Sequence, residues 1–432
     1  MPGELITGDP NGEARVSDSP STPLTTADGV PLKVSLRRAS RRLKLKALLL
    51  VSPLLAFLII AFVMPIFDML WRSVDNPEVS NALPRTVAAL ESWDGASLPD
   101  ELVYAALAED LEIGQEERNL GLVSSRLNYE KSGMRSAVMG TARRLSRIEP
   151  PYKAALIDAN DAWGELETWQ LIERESSPYT LSYYLAAVDL QYTPAGDIVE
   201  VPDYLQIHVA LFWRTFWMSG LITLLTLVLG YPVAFLLANL PARRANLLMI
   251  LVLLPFWTSL LVRTTTWIAI LQSQGVLNDM MVALGIVADE ARWQMIHNKT
   301  GTIIAMTHIL LPFMILPLYS VMKTIPPSYM RAARSLGGKP FLSFRRVYFP
   351  LTIPGIAAGG ILVFILSIGY YITPALVGGQ SGRFITNYIA YHMQTSLNWG
   401  LAAAIASILL FVVIVFYMIF NRLIGVDKVK LG

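Results

Sequence analysis

Cysteine is absent from the 432 residues, which excludes a disulfide framework, a thiolate metal site and a cysteine nucleophile. Only four histidines occur, His208, His297, His308 and His392, and no two stand at metal-ligand spacing. No G-x-x-x-x-G-K-[ST] phosphate loop is present; Gly337-Gly338-Lys339-Pro340 lacks both the first spacing and the hydroxyl residue. Nothing here can hydrolyse ATP, so no catalytic residue, metal or bound cofactor is expected. Charge is scarce too. Asp, Glu, Lys and Arg make up 16% of the chain, against about 25% in a soluble domain. With 53% hydrophobic residues, so long a chain belongs in lipid rather than around one large water-soluble core.

What is present is a set of apolar runs, at 47–71 and about 213–238, 246–270, 302–322, 353–373 and 402–420. Each approaches the roughly 20 residues that cross a hydrocarbon core of about 30 Å. They predict an all-α integral membrane fold of six transmembrane helices. The first run follows Arg37, Arg38, Arg41, Arg42, Lys44 and Lys46. It is too long, and starts too late, for a cleaved signal. Residues 1–46 read as a disordered basic cytoplasmic tail. Arg243 and Arg244, the stretch Lys323 to Arg346, and Arg422, Lys428 and Lys430 fall in alternate connections. Positive charge stays inside, so both termini, including the tail 426–432, are expected in the cytoplasm of an inner membrane.

Residues 72–205 differ in kind, with 23 acidic and 10 basic residues between 73 and 205. Helical signals start at Pro84, at Pro99-Asp100-Glu101, over 117–147 and from Pro151 to Arg174. The topology makes this a large acidic helical insertion on the external, periplasmic side, between helices 1 and 2. A solvated packing cap is the plain reading; a vestibule attracting cations or a docking surface are the others.

Between the fourth and fifth runs lies a basic loop, 325–350. Ser328 is a candidate cap for a short helix that carries Tyr329, Ala332, Ala333 and Leu336 on one face. Gly337 and Gly338 offer a left-handed stop. Phe341, Phe344, Val347 and Phe349 form a second amphipathic stretch, and Pro350 and Pro354 mark re-entry into the membrane. Small alanines on an exposed helix suit docking into another protein's groove.

This loop resembles the EAA loop of the permease subunits of binding-protein-dependent ABC importers. Ala332, Ala333, Gly337, Val347, Phe349 and Pro350 fall on that pattern, whereas Arg331 stands at its glutamate position. The resemblance extends over 206–425, the expected permease core of five helices, with Gly230-Tyr231-Pro232 as a kink in the first. Gly369 to Gly379, G-Y-Y-I-T-P-A-L-V-G-G, is similar to the spermidine/putrescine branch. The resemblance implies a permease translocating a small solute, polyamine or a related cationic compound. Its implied partners are ATP-binding cassette subunits that bind the ATP, a second permease, a periplasmic solute-binding protein and membrane lipid; nucleic acid is not among them. Arg331, Ala332, Ala333, Leu336, Gly337 and Pro350 would then make the ATPase-coupling loop.

Candidate pathway-lining residues are Trp257, Thr258, Thr265, Tyr370, Tyr371 and Thr373, with Arg263, Thr264 and Thr266 beside them. Trp and Tyr also serve as interfacial belts, and Arg263 could snorkel. An ion-coupled secondary transporter or channel is the rival reading, disfavoured by the near absence of ionisable groups inside the runs. A membrane-anchored scaffold would not need the loop.

Overall fold

The computed structural model describes residues 32–424; residues 1–31 of the expected N-terminal tail and the whole expected tail 426–432 lie outside the described residues. The chain divides into two units after Asp68. The first is helical. Helix α1 (Leu32–Leu58) passes through a π-turn at Ile59–Val63 into α2 (Met64–Arg72). Residues 32–46, expected within the disordered tail, belong to this helix. Their Leu, Arg, Lys and Ala residues are good helix formers and extend it without a break.

The second unit opens with α3 (Glu78–Ala82), α4 (Pro84–Leu90), α5 (Glu101–Glu116), α6 (Leu120–Glu130), α7 (Met134–Arg144), α8 (Tyr152–Ala159), α9 (Leu166–Glu175) and α10 (Ser182–Ala187). An antiparallel pair, β1 (Leu190–Tyr192) and β2 (Ile198–Glu200), follows. This hairpin is a small correction to an all-α expectation. Two expected helices are also divided. The 117–147 stretch breaks around Gly133 (φ +93°). The 151–174 stretch breaks at Asn160, whose side chain caps a 3₁₀ turn, Asp161–Gly164. The division lets Trp163 and Trp169 turn into one core with Tyr104 and Leu107. There Trp163 Nε1 donates to Thr141 Oγ1 at 2.8 Å, and Tyr104 Oη donates to the Trp163 carbonyl at 2.6 Å.

The remaining helices are α11 (His208–Asn239), α12 (Ala242–Leu253), α13 (Leu260–Leu271), α14 (Val276–Ala283), α15 (Lys299–Thr324), α16 (Pro327–Ser335), α17 (Pro340–Ser343), α18 (Phe349–Gly369), α19 (Ile372–Val377), α20 (Ile385–Gln394) and α21 (Trp399–Ile424). Among the described residues, five stretches are long and apolar enough to cross a membrane: Leu43–Arg72, His208–Asn239, Lys299–Thr324, Pro340–Gly369 and Trp399–Arg422. The run expected as a continuous helix over 246–270 is instead a pair bent by 96°, Ala242–Trp257 and Leu260–Ala283. Pro255 lacks an amide hydrogen, and Ser259 caps a fresh helix by accepting from Val262 N at 3.2 Å.

Helix α15 is the axis of the bundle, packed on α11 and α18. Gly355 and Gly359 on α18 make this possible. A Cβ at Gly355 would fall 3.0 Å from Val321 Cβ and 3.3 Å from the Leu318 Cα. A Cβ at Gly359 would fall 2.8 Å from Met314 Sδ and 3.2 Å from the Met314 carbonyl oxygen. This G-x-x-x-G face lets two backbones approach without side chains between them, the packing that lipid favours.

The insertion is keyed to this bundle. Tyr184 Oη lies 2.8 Å from Ser73 Oγ and 2.9 Å from Ser407 Oγ on α21. Behind it Arg126, fully buried, reaches Glu175 at 2.5 Å, Glu130 at 2.8 Å and Asn76 Oδ1 at 2.6 Å. Arg174 takes the other oxygens of both glutamates. Removing one partner of such a network strands a buried charge. Arg126→Ala is therefore expected to cost about 3–5 kcal/mol. Lys131→Ala, whose partners Glu165 and Glu167 are exposed, should cost less than about 1 kcal/mol. Thermal unfolding of the solubilised chain, followed by tryptophan emission, measures both; equal losses would contradict this assignment.

Candidate functional site

Two features stand at opposite ends of α15 and α18. One is the 325–350 loop. Pro327 occupies the first helical position of α16, where a missing amide hydrogen is harmless and φ is already helical. No side-chain cap is used, so Ser328, expected as the cap, sits inside the first turn instead. The helix ends as expected at Gly337, φ +86°, with Gly337 N bonding to Arg334 O at 2.9 Å and Gly338 N to Ala333 O at 3.1 Å. The two glycines serve different needs. A Cβ at Gly337 would meet nothing, whereas one at Gly338 would fall 2.6 Å from Ser343 Oγ and 2.7 Å from Ala333 O.

After this elbow, α17 continues through a π-turn at Phe344–Tyr348 directly into α18. Pro350 and Pro354 therefore lie inside a continuous helix instead of marking its start. A proline in the first turn of α18 loses no bond that the π-turn had not already rearranged. Aromatic contacts hold the elbow to α11: Phe235 with Tyr348 at 5.2 Å and Tyr231 with Phe349 at 6.0 Å. What faces outward mixes basic side chains, Arg331, Arg334 and Lys339, with large apolar ones. Leu336 is 90% exposed and Phe341 75%, with Tyr329, Arg331 and Ala332 also exposed and Ala333 half-buried. A monomer seldom leaves such side chains in water without a partner to cover them.

The second feature is a pair of helix breaks. Past Trp257, Thr258 and Ser259 are extended before α13 starts; past Gly369, Tyr370 is extended before α19 starts. Helices α13 and α19 pack together, and buried Thr264 and Thr373 share a hydroxyl contact of 3.2 Å. The Tyr370 carbonyl released by the second break is taken by α20, where Thr386 Oγ1 donates to it at 2.8 Å; Tyr371 O, which already accepts from Ala375 N at 3.0 Å, takes a second bond from Asn387 Nδ2 at 2.6 Å. A broken helix survives at membrane depth only with such replacements.

Of the candidate pathway residues, Tyr370, Tyr371 and Thr373 line one break, and Trp257 (74% exposed) and Thr258 the other. Thr265 is exposed but turns its hydroxyl back to Leu261 O at 3.0 Å. Tyr371 opens into a cleft of about 550 Å³ with Tyr388, Tyr391, Asn387 and Arg383. The sequence reasoning missed His308 on α15, which accepts from Trp267 Nε1 of α13 at 3.1 Å. A lone imidazole in an apolar run was the available signal.

Beside the cleft, Asp189 caps α11. Its carboxylate accepts from His208 N at 2.9 Å and Val209 N at 2.8 Å, and meets His208 Nδ1 at 3.1 Å. His392, from α20, lies 6.2 Å from the His208 ring and 2.9 Å from Ser396 Oγ. Burial, helped by the neighbouring His208, pushes the His392 imidazole down to about 4. An unfolded imidazole titrates near 6.5. Between those values the unfolded chain binds more protons, so stability is complete above about 6.5 and falls as the pH drops toward 4. His392→Gln is expected to flatten the melting temperature over that window; an unchanged slope would assign it to other groups.

Residues 227–425 match the family described as binding-protein-dependent transport system inner membrane component. The chain is 35% identical over 228 residues to the spermidine/putrescine transport system permease protein PotB of Haemophilus influenzae, covering 52% of this chain and 79% of that one. It is 37% identical over 187 residues to PotB of Escherichia coli, covering 43% and 67%. A solved bacterial ABC transporter involved in the import of the acidic polysaccharide alginate is 18% identical to it, with a TM-score of 0.43 over 52% of this chain and 80% of that one.

Proposed function

Since the chain belongs to the family of binding-protein-dependent transport system inner membrane components, we infer that it is the permease subunit of an ATP-driven importer for a polyamine or related cationic solute. The relatives' names support the solute class. In this reading the bent pair counts as one of six spans, both termini are cytoplasmic and the acidic insertion is periplasmic. A separate pair of ATPase subunits supplies the energy, a second permease completes the pathway, and a solute-binding protein delivers the cargo.

The observation that carries the reading is the exposed elbow. Arg331, Ala332, Leu336 and Gly337 present a short helix whose apolar tip, Leu336, is 90% exposed among the described residues, on a rigid stem anchored to α11. Such a shape fits a groove on an ATPase. Arg331, in place of the family's glutamate, offers that groove a cation. Closing of the ATPase pair would move the elbow, and α18 would carry the motion to the break at Tyr370.

Leu336→Ser tests this without disturbing the fold, because Leu336 touches little. Gly337→Val strains the turn itself by about 1–2 kcal/mol. An ATPase is expected to copurify with the wild-type chain from membranes, and solute-stimulated ATP hydrolysis is expected to be lost in both variants. If no ATPase accompanies the folded wild-type chain, the proposal fails. A carrier driven by an ion gradient is then favoured, a reading to which His308 and the paired helix breaks lend support. Uptake that persists after ATP depletion and collapses with the gradient would identify it.

A further inference from the structure

Helices α11 and α15 run side by side in the same direction. At their far end Lys323, in the last turn of α15, donates to Ala238 O of α11 at 3.3 Å. At their near end Lys299, the first residue of α15, joins the first turns of α11 around a recess of about 300 Å³. The rest of its lining is Ala210, Trp213, Arg214 and Trp217. Those four stand at i, i+3, i+4 and i+7, so they share one face of the helix.

Every polar side chain on this recess is a donor: one ammonium, one guanidinium and two indole N–H groups, none of which can accept. Arg214 gives Nη1 to Gln380 O at 3.0 Å, which fixes the position of its guanidinium. Among the described residues, Lys299 and the two indoles make no hydrogen bond, and neither cation is in an ion pair. The chain has no aspartate or glutamate over 204–278 or over 291–426. Asp203 and Glu290, which bound those stretches, are exposed and reach neither cation. Trp213 is 74% exposed and Trp217 50%. A cationic solute finds nothing here to bind.

Below the recess the same face of α11 continues through Gly220, Leu224 and Val228, all exposed. At Gly220 no atom lies within 4 Å of the place a Cβ would take, so an open apolar track leads away from the donors. One cation at the end of a span is ordinary snorkelling. Two cations and two indoles around one recess, with no acceptor among them, call for an anion with an apolar tail. Indoles sit at headgroup level, and guanidinium and ammonium groups both bind phosphate.

We propose that this recess binds an anionic phospholipid, its phosphate held by Arg214 and Lys299 and an acyl chain lying along Gly220, Leu224 and Val228. Bound there, the lipid ties the first turns of α11 and α15 to the Gln380 loop between α19 and α20. The site needs α11 and α15 to span a membrane and is independent of the transported solute.

The test places the full chain in phosphatidylcholine bilayers doped with brominated lipid, whose bromines quench nearby tryptophans. Brominated phosphatidylglycerol is titrated against brominated phosphatidylcholine. The signal of the site is the part lost when Trp213→Phe and Trp217→Phe are combined. A cation beside an anionic lipid contributes about fivefold in local enrichment, so phosphatidylglycerol should half-quench this signal at a mole fraction lower by about that factor or more. Combining Arg214→Gln with Lys299→Gln should remove the preference and leave the melting temperature unchanged. Combining Arg214→Lys with Lys299→Arg should keep most of it. The proposal is overturned if the two lipids quench alike, or if the preference survives the double glutamine variant. Displacement by millimolar inorganic phosphate also overturns it, because the recess then serves a soluble anion. If neither lipid reaches these tryptophans, protein covers the recess, either this chain's own first span or a companion, and the lipid assignment fails.

Discussion

Inside a bilayer no water is available to a free carbonyl or amide, so every departure from a continuous helix has to be satisfied by the protein itself. The breaks after Trp257 and Gly369 meet this demand differently. At the first, Thr258 Oγ1 returns to Pro255 O at 2.8 Å and Ser259 caps the helix that follows. At the second, the freed carbonyl of Tyr370 is answered from α20 by Thr386, and Asn387 adds a second donor to Tyr371 O. The position of α20, the cleft beneath its tyrosines and the pairing of α13 with α19 all follow from that exchange. Broken helices give a pathway something a smooth bundle lacks, namely polar backbone and side chains at depth that can face a solute.

The elbow and the breaks are joined by one rigid element. Pro340–Gly369 is an unbroken apolar helix of 30 residues, about 45 Å long at 1.5 Å per residue. Its lower end carries the Phe344–Tyr348 turn on α11 and its upper end stops at Tyr370. The G-x-x-x-G contact of Gly355 and Gly359 with α15 lies between the two. Close backbone packing of this kind slides or pivots in discrete steps rather than bending, because interdigitated atoms have few alternative fits. A displacement of the elbow would therefore reach the break with little loss, where a flexible connection would absorb it.

Much of this was legible in the sequence, and for identifiable reasons. Apolar runs mark α11, α15, α18 and α21 because lipid demands them over a set length, and Gly337 marks the elbow because few other residues accept a positive φ. The breaks were not legible. Pro255 interrupts one run, yet Pro312 and Pro317 sit inside unbroken α15, so proline alone does not decide between kink and stop. What decides is the tertiary supply of donors, and Thr386 and Asn387 lie sixteen residues downstream of the carbonyls they satisfy. Of the site residues, Tyr370, Tyr371 and Thr373 were identified from residue type, while His308 was passed over because periodicity carries no information about a single polar side chain on an apolar helix.

The insertion shows how composition misleads about mechanism. An excess of 23 acids over 10 basic residues suggests a diffuse negative funnel, yet some of those charges are structural. Glu175 and Asp110 are buried. The first is spent on Arg126 and Arg174; the second accepts from Thr86 N and Thr86 Oγ1, both at 2.7 Å. The charges left at the surface act through water, where screening confines them to about 8–10 Å. The packing points elsewhere. Tyr183 and Tyr184 of α10 lie against the last helix, and the ring of Tyr183 crosses Gly400 so closely that a Cβ there would fall 2.3 Å from it. A domain clamped this way moves with α21 and cannot swing as a tethered lid. Its rigidity, more than its charge, is the property on which any role in presenting solute or partner to the helix breaks would rest.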